Sequence, residues 1–129
     1  MPVHLWSREA EPERSHEFRR VLWTGEHSQL VVMTIPPGDE IGEETHPDND
    51  QIRSFVSGAG KAVVDGEEQF VAPGDIVAVP AGARHNVVNV GPGPLVLYAI
   101  CSPPRHAEGT VHGTREEAAT AAALGDDAS

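Results

Sequence analysis

The chain has 129 residues, which suits one domain built around one core. Apolar residues make up 39%, and 13 Gly with 11 Pro favour many turns between short strands. A net charge of −11, with one Lys against eight Arg, argues against nucleic acid or an anionic membrane as a partner. Cys101 is the single cysteine, so no intramolecular disulfide forms and a reducing cytoplasm is consistent. Met1–Glu11 lacks the apolar centre of a signal peptide, and no apolar run approaches spanning length. The expectation is a cytoplasmic protein.

Met1–Ser15 is polar and reads as an arm, with a barrel over residues 16–102 and a tail over 103–129. Phe18–Thr24 is a first candidate strand, and the β-branched, apolar run Ser28–Ile35 is a buried one. Pro36-Pro37-Gly38-Asp39 turns the chain into the short, mixed stretch Glu40–His46. After a second turn at Pro47–Asp50, Gln51–Ser57 alternates as a strand until Gly58-Ala59-Gly60. Lys61–Val64 and Glu67–Val71 flank Asp65-Gly66, a strong hairpin signal. Ile76–Val79, His85–Val90 and Leu95–Cys101 follow, each bounded by Gly and Pro. Strands at this spacing predict a closed or sandwiched antiparallel sheet. In the tail, Thr114 and Glu117 predict a capping box opening a helix over Glu116–Leu124 that stops at Gly125.

Residues two apart on a strand face the same way, so Glu44 and His46 share a face. Gln51 lies just past the next turn, and His85 opens a later strand. In a small barrel these four can converge on one interior point and offer a divalent ion two imidazoles, a carboxylate and an amide oxygen. A bulge would present Glu43 in place of Glu44. Arg53, two past Gln51, shares its inward face and there needs an anionic partner, either a carboxylate ligand or a substrate. Tyr98 is a second candidate pocket residue. His4, His16 and His27 lack partners at ligand spacing and read as exposed. Cys101 reads as a small packed hydrophobe, and Asn89 as a tie between strands. His106 and His112 read as part of a surface loop, with a barrel-mouth or dimer role as the alternative.

Gly38-x5-Glu44-x-His46-x4-Gln51-x6-Gly58 resembles the first cupin motif. Gly74-x5-Pro80-x-Gly82-x2-His85-x3-Asn89 resembles the second. With the flanking strands the resemblance runs over Ser28–Cys101. It implies an all-β fold, an antiparallel double-stranded β-helix of the jelly-roll or cupin-barrel type, here with a short C-terminal helix. The chain departs from the motif twice, with Glu44 at the first His position and Gln51 at the Glu position. The resemblance also makes Asp50 a competitor of Gln51, because the family tolerates a one-residue-shorter spacer, but the spacing to Gly58 favours Gln51. The family's usual three His and one Glu carry one negative charge, and so does the present set. Its mixed nitrogen and oxygen donors suit Fe, Mn, Ni, Co or Zn. The resemblance implies a metalloenzyme of dioxygenase or isomerase type acting on a small chelating hydroxy-carbonyl or sugar-like compound. No dedicated general base stands out, although a displaced Glu44 is available. A non-catalytic module binding a small metabolite or sugar is the alternative. A homodimer is expected.

Overall fold

The computed structural model describes residues 4–8 and 16–123. Most of the expected arm and the predicted helix stop at Leu124 and Gly125 therefore lie outside the described residues. Among the described residues ten strands run in order: β1 (Arg19–Thr24), β2 (Gln29–Ile35), β3 (Glu44–Thr45), β4 (Asp50–Ser57), β5 (Gly60–Val64), β6 (Glu67–Val71), β7 (Ile76–Val79), β8 (Arg84–Asn89), β9 (Leu95–Ser102) and β10 (Val111–His112). Helix α1 (Arg115–Ala123) follows. A six-stranded sheet has the order β10-β1-β2-β9-β4-β7, and a four-stranded sheet has the order β3-β8-β5-β6. Every named pair is antiparallel. The fold is the expected double-stranded β-helix.

Alternation decides what enters the space between the sheets. On β4, Gln51, Arg53 and Phe55 point inward while Ile52 is exposed. On β9, Leu95, Leu97, Ala99 and Cys101 join the main core, which also holds Val31, Met33, Ile35 and Phe55. Val96 and Tyr98 take the opposite face and pack with Val32 in a second cluster. The core is apolar at one end, whereas Gln51, Arg53, His46 and His85 are buried polar residues.

The turns follow their residues. Asp65 and Gly66 adopt φ of 49° and 84°, the pair of positive values a two-residue hairpin requires, and β5 and β6 pair directly across it. Gly58 has φ 91°, and a Cβ there would meet the Pro94 carbonyl and lie 2.9 Å from Leu95 Cα. Asn89 ties the sheet end as expected: its amide donates to the Ile35 and Gly93 carbonyls, each at 2.9 Å.

Two segments differ from expectation. Glu40–His46 is more ordered than its mixed composition suggests, because β3 pairs with β8 and Glu40 bridges Val88. The tail is not a surface loop. It returns across the barrel, β10 pairs with β1, and His106 and His112 are both buried at 7% exposure. Gln29, fully buried, holds it: its amide donates to the His106 carbonyl at 2.9 Å, and its oxygen accepts from the Arg105 and His106 amides at 3.2 and 3.0 Å. At the start of α1, Thr114 Oγ1 accepts from the Glu117 amide at 3.1 Å, as a cap does. Glu117 accepts from Gly113 at 2.7 Å, one residue beyond the capping-box position. Among the described residues no helix is long and apolar enough to cross a membrane.

Candidate metal centre

Glu44 on β3 lies directly opposite His85 on β8. His46 follows β3, and its carbonyl accepts from the Gly82 amide at 2.8 Å, which brings His46 toward His85. Their ring centroids are 5.3 Å apart at an interplanar angle of 58°. Glu44 Oε1 lies 3.6 Å from His46 Nε2 and 3.9 Å from His85 Nε2. The ligating atoms of the three side chains all fall within 4.8 Å of one another.

These atoms fit a metal ion. Glu44 Oε1, His46 Nε2 and His85 Nε2 are all buried without a hydrogen-bond partner. Buried polar atoms are rarely left so, and three that face one another define a cradle for a cation. His85 Nδ1 lies 2.9 Å from the Ala83 carbonyl, a contact only a donor nitrogen can make. The proton is thereby fixed on Nδ1 and the Nε2 lone pair turns inward, as metal-ligating imidazoles require.

The electrostatics agree. Burial pushes the Glu44 carboxyl up, but the nearby His46 and the charges of Arg53, Arg19 and Arg105 outweigh it and hold the group at about 2. Burial also lowers His85, helped by the Arg53 charge, so its imidazole favours the neutral, ligating form. Burial raises the Cys101 thiol despite the neighbouring arginines, which keeps it from acting as a thiolate ligand.

The remaining candidates separate cleanly. Glu43 is exposed and lies 3.5 Å from Arg84 Nε, so Glu44 is the inward carboxylate. Asp50 is exposed and accepts from the Ala81 amide at 2.8 Å. Gln51 does point inward, but its oxygen accepts from Arg53 Nε at 3.2 Å and Nη2 at 2.7 Å. That amide oxygen is thus engaged by Arg53, and the carboxylate and imidazole donors that converge are Glu44, His46 and His85. Arg53 is buried beside Glu44, with Nη2 3.9 Å from Oε1. Tyr98 is not brought to the site. It faces the outside of the six-stranded sheet, and its hydroxyl donates to the Arg8 carbonyl at 3.1 Å. Its spacing from Ala99 and Cys101 puts it one residue out of phase with the interior.

Arg19, only 3% exposed, is a site residue that was not singled out. Its parity with the buried Val21 is the signal that marks it as inward. A cleft of about 340 Å³ reaches Glu44 and Arg19 from the surface between Gly42 and α1, with Phe18, Ile41 and Arg115 on its walls. Arg115 lies 3.4 Å from Asp39 and fixes the helix beside that opening.

Residues 31–101 match the family described as Cupin domain, more than half of the chain. The chain belongs to the cupin family. This cupin is 38% identical over 115 residues to the uncharacterized protein YrkC of Bacillus subtilis, covering 84% of this chain and 62% of that one. It thus spans less than two thirds of that relative's length. The crystal structure of BH2720 from Bacillus halodurans superposes with a TM-score of 0.88 at 38% identity, over 91% of this chain and 93% of that one. KdgF from Halomonas sp. matches with a TM-score of 0.64 at 25% identity, over 67% and 78% of the two chains.

Proposed function

We propose that this cupin binds one divalent metal ion through Glu44, His46 and His85 and presents it to a small chelating molecule, as a metalloenzyme of dioxygenase or isomerase type. The convergence of three buried, unpartnered ligand atoms carries the reading. The donor set of two imidazoles and one carboxylate suits Fe, Mn, Ni, Co or Zn and leaves positions for a ligand. A bound ion of this kind supplies Lewis acidity toward a chelating oxygen donor. The chain's own part is to hold the His85 imidazole in the ligating tautomer and keep the carboxylate ionised, with the cleft beside α1 reaching Glu44. Hydroxy-carbonyl and sugar-like compounds are the substrate classes in view. We place the protein in the cytoplasm, as a homodimer, with the boundaries 1–15, 16–102 and 103–129 for arm, barrel and tail.

One observation favours a second reading, a non-catalytic module that holds such a molecule without turnover. Two of the ionisable residues inside the barrel are not general bases, since burial holds Cys101 protonated and Arg53 carries a guanidinium.

Elemental analysis of the purified, metal-supplemented protein tests the metal. We expect about one ion per chain, falling well below that in His46→Ala and His85→Ala. Wild-type occupancy far below one, or undiminished occupancy in both variants, would sink the proposal. Anaerobic Fe(II) loading followed by O2 uptake with candidate catechols and diketones separates enzyme from module. Tight ligand binding with no uptake and no isomerised product favours the module.

A further inference from the structure

The cleft of about 340 Å³ that reaches Glu44 has a wall outside the cupin match: Phe18 and α1 lie beyond residues 31–101. Phe18, Ile41, Ala118 and Ala119 form its apolar side, and Glu44, with Oε1 buried and unpartnered, also lines it. The wall is firmly set. Ala118 is 6% exposed and belongs to the main core cluster. Arg115, one turn earlier, lies 3.4 Å from Asp39, and a Cβ on Gly42 would come within 3.0 Å of its Nη2. Gly42 has φ 104°, so the backbone there is already reserved for glycine. Position 119 is different. Ala119 lines the cleft, yet it is exposed and stands outside the core cluster. A longer side chain would extend into the cleft without disturbing the core. Helix propensity does not demand the methyl, because Leu and Gln form helices nearly as well.

We propose that Ala119 sets the size of the ligand. The cleft receives the body of the chelating molecule, and the small side chain leaves room for one ring against Phe18, Ile41 and Ala118. The inference rests on the metal reading and narrows its substrate class to a hydroxy-carbonyl compound that carries a single apolar ring. The volume lies near the lower end of small-ligand pockets, about 300–1,000 Å³, which suits one ring over a fused or oligomeric body. The charged residues on the remaining side are engaged elsewhere: Glu43 with Arg84, Arg115 with Asp39, and Arg19 with His112. The apolar side is therefore the one left to grip the body of the ligand, and it favours a ring without hydroxyls over a sugar ring.

The test uses the full chain loaded with Co(II), whose visible absorption reports changes at the metal. Acetohydroxamate and benzohydroxamate are titrated in parallel; they share one chelating head and differ by a methyl against a phenyl group. Wild type should bind benzohydroxamate about tenfold more tightly, from the apolar surface buried in the cleft. Ala119→Leu adds an isopropyl group, and Ala119→Gln adds a polar arm of similar reach. Each should keep one Co(II) per chain, bind benzohydroxamate about tenfold more weakly and leave acetohydroxamate within about twofold of wild type. Ala119→Ser, close to alanine in size, should leave both affinities unchanged. The two larger variants differ in polarity, so a shared effect reports crowding, and either one decides the matter where the other does not fold. Four results overturn the role of Ala119 while leaving the metal reading intact: no response to either probe, equal binding of both by wild type, undiminished benzohydroxamate affinity in a folded Leu or Gln variant, or an equal loss of both probes. Failure of Co(II) to bind, or Co(II) binding unaffected by His46→Ala and His85→Ala, overturns the metal reading and this inference with it.

Discussion

Glu44 sits between two imidazoles and the Arg53 guanidinium, and that placement has a pH signature in the metal-free protein. Its carboxyl is displaced from 4.5 to about 2, which corresponds to about 3 kcal/mol of stabilisation at neutral pH. A folded-state value below the unfolded one means that the stabilisation is fully present above pH 4.5 and is lost as pH falls toward 2. Denaturant midpoints of chelator-treated wild type and Glu44→Gln should therefore differ above pH 4.5 and converge between pH 4.5 and 2. A constant difference over that range would show that Glu44 is not the titrating partner. At this scale Glu44, His46 and His85 were legible, because strand alternation and Gly/Pro punctuation fix which side chains face in. The fate of the Gln51 oxygen was not. Alternation places Arg53 on the same face two residues on, but only the folded side chains show that the guanidinium engages that oxygen.

The strands were legible nearly to the residue wherever turn chemistry bounds them, as Asp65-Gly66 and Pro80-x-Gly82 do. The tail was not, because what holds it is a glutamine 77 positions away. Gln29 opens an apolar strand and gives no local sign of its partners. Three hydrogen bonds with one fully buried side-chain amide fix the Arg105–His106 backbone against β2. Gln29→Leu removes them and leaves backbone donors and an acceptor unsatisfied, a loss of about 2–4 kcal/mol. The cost should fall first on the tail, because its peptide groups lose their partners while β2 keeps its ladder to β9. Limited trypsin digestion should then cut after Arg105 in the variant at enzyme levels that leave wild type intact. Equal digestion of the two would mean that β10 and α1, not Gln29, anchor the tail.

The two faces of the large sheet differ in what covers them. The inner face is closed by the smaller sheet and the metal cradle. On the outer face residues 4–8 lie against Leu30, Ser54 and Tyr98, and Arg8 Nη2 donates to the Phe55 carbonyl at 2.9 Å. That leaves Ile52, Ile76 and Ile100 exposed at 45%, 68% and 41%. Ile52 and Ile100 pair directly across β4 and β9, and Ile76 lies on the neighbouring β7, so the three form one apolar strip. A second copy meeting this strip would bury it and set the proposed homodimer through a face distinct from the site. Each copy carries a charge of −11, so association works against repulsion that salt screens. Light scattering should therefore find twice the chain mass for wild type, with dissociation favoured at low ionic strength. Ile52→Glu places a carboxylate in the strip and should yield monomers that still bind one metal per chain, since the side chain points away from Glu44. A wild type that stays monomeric at tens of micromolar and moderate salt, or an Ile52→Glu variant that stays dimeric, would remove this face as the interface.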